Sequence, residues 1–283
     1  MINGIYAATL SVLDKNLALN TKKTIKYAEN LIDKGCHGVV FFGSTGQSQL
    51  ISLSEKIQLI NLLPKSNYRD KFIIGTGLNS LVDNINLIKI AKSNGFNKFL
   101  IMPPAYYKYS DHDVINFYSR IIDEINECKI ILYNFEKLSG YKFSIDCVEE
   151  LVKKFPSQIV GVKDSSYNLY ENLKIDNFSV MPGSESKLLK GLELGCSGII
   201  TATTNVTSIL ARDVYDKFQN GSDQSSNEKL CSVRSIFDKF NLISGLHTFM
   251  AQIDQDYQNL IPPLKLLNEN EKKLFFDELQ YLD

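Results

Sequence analysis

Ile159-Val160-Gly161-Val162-Lys163-Asp164-Ser165-Ser166 places a lysine at the polar end of a short apolar, β-branched run. A run of this length and composition, closed by polar residues, reads as a buried strand, with Lys163 where that strand ends. Seven further runs share its character, at residues 4–10, 38–42, 72–75, 98–102, 129–133, 178–181 and 198–201. Most stretches between them carry helical periodicity. Residues 21–34 place Ile25, Ala28, Leu31 and Ile32 on one face, and residues 54–63 open on Ser54 as the expected N-cap. Strand-helix alternation implies a parallel sheet, and eight strands apolar enough to be covered on both sides imply a (β/α)8 TIM barrel. Beyond Thr201 the strand signal stops and residues 209–219, 228–249 and 269–282 read as helices. The expected organisation is a barrel catalytic domain over residues 1–221 and a small C-terminal helical appendage over residues 222–283.

The 283 residues are 44% hydrophobic and 22% charged, with a net charge of -1. That balance offers no basic surface to a phosphate backbone, so nucleic acid is not an expected partner. No apolar stretch approaches the roughly 20 residues that span a bilayer, and the N-terminus lacks a basic and then apolar leader, so a cytoplasmic protein without membrane contact is expected. Cys36, Cys128, Cys147, Cys196 and Cys231 are scattered and form no CxxC pair, which argues against a disulfide framework or a zinc site. His37, His112 and His247 stand apart, without metal-ligand spacing, and no metal is expected.

A barrel active site lies at the C-terminal ends of its strands, so the residues after each apolar run are the ones to read. Lys163 has two readings: a strand-end lysine whose stem covers apolar surface, or a desolvated amine able to lose its proton and attack a carbonyl. Gly43-Ser44-Thr45-Gly46 follows the second run, with a flexible backbone and hydroxyls suited to a carboxylate. Tyr133 ends the fifth run and could relay protons opposite a lysine. Pro182-Gly183-Ser184-Glu185-Ser186 ends the seventh with a polar cluster able to meet substrate hydroxyls.

The Gly43–Gly46 turn, Tyr133-Asn134, Gly161-Val162-Lys163 and Gly198-Ile199-Ile200-Thr201 together resemble the pyruvate-dependent class I aldolase and lyase family. This family includes dihydrodipicolinate synthase, N-acetylneuraminate lyase and 2-keto-3-deoxygluconate aldolase. The resemblance implies an imine between Lys163 and a 2-oxo acid, with Tyr133 as proton shuttle and no cofactor or metal. It implies that Ser44 and Thr45 hold the substrate carboxylate and extend the relay, and that the Ile200 carbonyl faces the lysine. A tyrosine from a second copy commonly completes the relay. Tyr106 matches that position and Tyr107 is the alternative, so a homo-oligomer, dimer or tetramer, is implied.

Three departures bear on the substrate. Leu138 stands where the synthases carry an arginine that clamps a carboxylate, and leucine cannot make that pairing. Leu138, Ser165, Gly183, Glu185 and Ser186 then look more like the sugar-acid lyases and aldolases, whose polar residues contact a polyhydroxylated tail. Gln47 replaces an acidic residue usual after the Gly43–Gly46 turn, and the proline common in the first strand is missing from residues 6–10. The expected reaction is reversible cleavage of a 2-keto-3-deoxy sugar acid to pyruvate and an aldehyde. Two alternatives stand beside it: condensation of pyruvate with aspartate semialdehyde, with Lys137 or Lys142 replacing the missing cation, and a non-catalytic sugar-acid-binding barrel.

Overall fold

A computed structural model describes residues 1–125 and 127–280. Each apolar run becomes a strand: β1 (Gly4–Ala8), β2 (Gly38–Phe41), β3 (Phe72–Gly75), β4 (Lys98–Ile101), β5 (Lys129–Asn134), β6 (Ile159–Asp164), β7 (Ser179–Pro182) and β8 (Gly198–Thr201). They pair in parallel in the order β7-β6-β5-β4-β3-β2-β1-β8. The seam between β7 and β8 is bridged just ahead of β8, where the Ser197 N–H donates to Val180 O at 2.9 Å and Ser197 O accepts from the Gly4 N–H at 2.8 Å. Gly198 is required there: a Cβ on it would lie 2.0 Å from Gly4 O. The fold is a (β/α)8 barrel with helices following the last strand.

The helices are α1 (Thr21–Asp33), α2 (Leu53–Leu62), α3 (Leu81–Ser93), α4 (Asp111–Glu124), α5 (Glu136–Ser139), α6 (Ile145–Lys154), α7 (Leu188–Glu193), α8 (Thr204–Gln219), α9 (Ser226–Phe237), α10 (Leu242–Met250) and α11 (Glu269–Gln280). Their apolar faces cover the outside of the barrel, while Val40, Ile73, Leu100, Ile131, Met181 and Ile200 fill its interior. The N-cap of α2 is Ser52 rather than Ser54. Its hydroxyl accepts from the Glu55 N–H at 3.3 Å and Glu55 returns a bond to the Ser52 N–H at 3.1 Å, a reciprocal pair unavailable to Ser54.

Two other expectations change. The helix expected over residues 228–249 is two helices, because Asn241 caps a new one by accepting from the Ser244 N–H at 3.1 Å. The turn between them lets the Phe237 ring meet both Phe249 and Phe275, at centroid distances of 6.4 and 5.0 Å. The eighth barrel helix begins at Thr204, five residues before the expected start at Ile209. The last two residues of the expected C-terminal helix, 281 and 282, lie outside the described residues. Cys231 is half-buried while the other four cysteines are buried, and all five are free thiols. None of the described helices is long and apolar enough to cross a membrane.

Candidate active site

The register of β5 and β6 places the two central residues. Ile130 pairs with Ile159 but Ile131 pairs with Gly161, so Val160 is an extra residue, a β-bulge. Without it Tyr133 would pair with Val162; with it, Tyr133 pairs with Lys163 and Asn134 with Asp164. The bulge also resets the in-out alternation. Val160 packs with the barrel interior, Val162 with the outer core, and Lys163 returns to the interior side at the strand's polar end.

Lys163 is only 3% exposed, and its Nζ stands 4.2 Å from the centroid of the Tyr133 ring. An ammonium there meets the negative face of the ring, and an amine there keeps an apolar neighbour that does not demand its charge. The Tyr133 hydroxyl is 3.0 Å from Ser44 Oγ. Ser44 and Thr45 lie in a 3-10 turn, Ser44–Gly46, which follows β2 directly and brings both hydroxyl residues to the mouth. Lys163, Tyr133, Ser44 and Thr45 line one cavity of about 450 Å³, together with Ser165, Gly183 and Ala202. A nucleophile candidate, a phenol, a second hydroxyl and room for a small oxo acid thus converge at the C-terminal end of the barrel.

The residue after the lysine holds the cavity wall. Asp164 is fully buried, and its two oxygens accept from Asn134 Nδ2 at 2.8 Å and from the N–H groups of Tyr167, Leu169 and Tyr170 at 2.9, 2.9 and 3.0 Å. No helix forms between β6 and β7; this loop folds around Asp164 instead. Asn134 Nδ2 also donates to Asn168 Oδ1 at 2.8 Å, while its Oδ1 accepts from the Phe143 N–H at 3.1 Å. Gly183 closes the opposite side, where a Cβ would fall 2.1 Å from Ser165 Oγ. Only glycine lets β7 and this loop approach so closely.

The remaining expected residues scatter. Leu138 lines an adjoining cavity of about 140 Å³ that shares Ser44 and Tyr133 with the first. Ile200 is fully buried in the barrel interior beside Tyr133 and Met181. Ser186 Oγ lies 3.0 Å from Ser184 Oγ and is not among the lining residues. Tyr106 and Tyr107 stack edge to face at 5.1 Å and are 90% and 68% exposed, with Tyr106 at a φ of 91°. Within one chain neither lines the cavity that holds Lys163.

Glu185 is a correction. The carboxylate expected to touch a substrate tail is fully buried behind the cavity wall. Its Oε1 accepts from Thr201 Oγ1 and from Thr204 Oγ1, the latter at 2.9 Å, and its Oε2 accepts from Arg234 Nη1 at 2.9 Å. Enclosed in this way and absent from the cavity lining, this carboxylate presents no oxygen to a ligand. The residues that do reach the cavity from this side are Arg234 and Asp238, at the end of α9, and Tyr167. The sequence carries one signal for Arg234: it continues the buried stripe Leu230-Arg234-Phe237, where an arginine needs a partner.

A sequence model of the dihydrodipicolinate synthetase family matches residues 1–281. The chain belongs to this family. The 4-hydroxy-tetrahydrodipicolinate synthase of Methanopyrus kandleri is 27% identical over 292 residues, covering 99% of this chain and 96% of that protein. The N-acetylneuraminate lyase of Clostridium perfringens is 27% identical over 233 residues, covering 80% of each. In three dimensions the chain is similar to YagE, a prophage protein of the dihydrodipicolinic acid synthase family from E. coli K12, crystallised in complex with pyruvate. The TM-score is 0.89 at 21% identity, over 100% of this chain and 99% of the other, a likeness of fold.

This dihydrodipicolinate synthetase family member is a carbon-carbon bond enzyme of the pyruvate-dependent class. Relatives of equal identity divide between a synthase and a lyase, so the choice of substrate has to come from the residues of the cavity.

Proposed function

We propose that the enzyme reversibly cleaves a 2-keto-3-deoxy sugar acid to pyruvate and an aldehyde through an imine on Lys163. The observation that carries this reading is the enclosed Lys163 amine over the Tyr133 ring, with the tyrosine hydroxyl on Ser44 and an open cavity in front. The neutral amine attacks the C2 ketone, and loss of water gives the iminium. Tyr133 passes its own proton to Ser44 as it takes that of the C4 hydroxyl and the C3–C4 bond breaks, and the bonding pair flows into the iminium to leave an enamine and the aldehyde. Protonation of the enamine at C3 and hydrolysis then release pyruvate and return the amine. Ser44 and Thr45 hold the carboxylate and pass protons onward from Tyr133. Tyr106 is proposed to complete that relay in a second copy of the chain, which its exposure permits.

The sugar acid is favoured over aspartate semialdehyde because Leu138 supplies no guanidinium for a second carboxylate, and the guanidinium that does line the cavity, Arg234, is already paired with Glu185 and Asp238. A synthase reading has one observation in its favour, since Lys137 lines the cavity and could supply a cation. Lys142 is less free, with its Nζ 3.5 Å from Glu136. Treatment with pyruvate and borohydride is expected to add one reduced pyruvate to Lys163, and the Lys163→Ala variant to lose both the adduct and turnover. An active protein that resists trapping would overturn the imine. Turnover of aspartate semialdehyde above that of any sugar acid would overturn the choice of substrate.

A further inference from the structure

The far side of the cavity is built by a helix outside the barrel. Arg234 is 6% exposed, and its Nε donates to Asp238 Oδ1 and its Nη1 to Glu185 Oε2, both at 2.9 Å. Nη2 has no hydrogen-bond partner among the described residues. It is also absent from the enclosed unpaired atoms, which are Thr76 Oγ1, Asn84 Oδ1, Thr203 Oγ1 and Gln224 Oε1. Since Arg234 lines the cavity, this donor is open to it.

The charge of Arg234 is already matched. One guanidinium faces two carboxylates, Glu185 behind it and Asp238 beside it, so its charge is fully countered, and Lys187, with its Nζ 5.8 Å from the centroid of the Tyr167 ring, brings the corner to formal balance. Burial disfavours the guanidinium's charge, but the two carboxylates outweigh that and hold it firmly protonated. Asp238 is half exposed, lines the same cavity, and keeps Oδ2 available as an acceptor. Tyr167 adds a hydroxyl that burial keeps protonated. A donor, an acceptor and a hydroxyl beside a guanidinium whose charge is already countered suit vicinal alcohols better than a terminal carboxylate or phosphate.

The geometry points to Arg234, Asp238 and Tyr167 as the residues that select a neutral, polyhydroxylated tail, and to the C-terminal helices as the seat of specificity. This rests on the imine reading above and extends it from the reacting carbons to the far end of the substrate.

The test compares two six-carbon 2-keto-3-deoxy sugar acids, one ending in a hydroxymethyl group and one in a carboxylate. The parent enzyme is expected to favour the neutral tail by about tenfold or more in kcat/KM, and Asp238→Asn to erase about tenfold of that preference by uncovering the charge of Arg234. A paired variant, Arg234→Gln with Glu185→Gln, leaves no buried carboxylate alone and is expected to raise KM for both tails. Should the paired variant fail to fold, Asp238→Asn decides, its helix position being half exposed. A parent that prefers the acidic tail, or an Asp238→Asn enzyme with an unchanged preference ratio, overturns the inference while leaving the imine intact. Failure of pyruvate to be trapped on the parent's Lys163 overturns both.

Discussion

Two buried lysines divide this molecule. Lys163 ends β6 at the barrel mouth, and Lys56 lies on α2, wholly enclosed; among the described residues neither has a carboxylate within salt-bridge distance. Both ammonium positions sit over an aromatic ring, Lys163 at 4.2 Å from Tyr133 and Lys56 at 5.7 Å from Phe42. What differs is the surroundings of each nitrogen. Lys56 Nζ donates to Thr76 O at 2.7 Å and Gly77 O at 3.3 Å, and so pins the turn after β3. Lys163 faces a cavity, with a tyrosine and a serine in line behind it. Desolvation alone therefore does not mark a nucleophile; access and a route for protons do.

The contrast can be tested from either lysine. Tyr133→Phe keeps the ring over Lys163 but removes the hydroxyl, and should lower kcat by roughly 10²–10⁴-fold, the usual worth of a positioned acid-base group, while borohydride still traps pyruvate on Lys163. Turnover within a few fold of the parent would show that the phenol is only a packing partner. Ser44→Ala removes the next link and leaves Thr45, so steady-state assays should show a smaller loss, about tenfold, in line with one neutral hydrogen bond.

The smallest effect belongs to Lys56, and it concerns stability. Burial lowers its pKa from 10.5 to about 7, so between those values the unfolded chain holds a proton that the folded one has lost. Stability therefore rises with pH across that window and is flat, for this group, below it. Lys56→Met should flatten the rise in urea midpoint between pH 7 and pH 10 without preventing pyruvate trapping at Lys163. A midpoint that climbs as steeply in the variant would mean that other groups set the slope.

The barrel was legible because eight apolar, β-branched runs can hardly be anything but strands covered on both sides. Lys163, Tyr133, Ser44 and Thr45 were legible because each closes or directly follows such a run. The bulge at Val160 was not, since nothing in Ile-Val-Gly-Val distinguishes an extra residue from a regular one until β5 lies beside it. Glu185 misled for a related reason. In a polar turn a glutamate reads as facing solvent or ligand, and only the packing of α9 against the barrel shows that Arg234 and two threonines have already claimed its oxygens. Gln47 is similar: its Oε1 accepts from the Ile261 N–H at 2.9 Å and its Nε2 lies 3.4 Å from His247 Nε2, contacts made by segments more than 190 residues away in sequence.

Asp164 has a consequence for how such an enzyme can change. Its four bonds anchor the loop after β6 from beneath, through backbone N–H groups and Asn134, and use no side chain that faces the cavity. The side chains of Ser165 and Tyr167 take no part in these four bonds, so exchanging them leaves the anchor and the adjacent amine in place, within the close approach of Gly183 to Ser165 and the left-handed φ of 59° at Tyr167. The anchor of this loop and the side chains that face the cavity are thus separate groups, so the face shown to a substrate can change without rebuilding the chemistry.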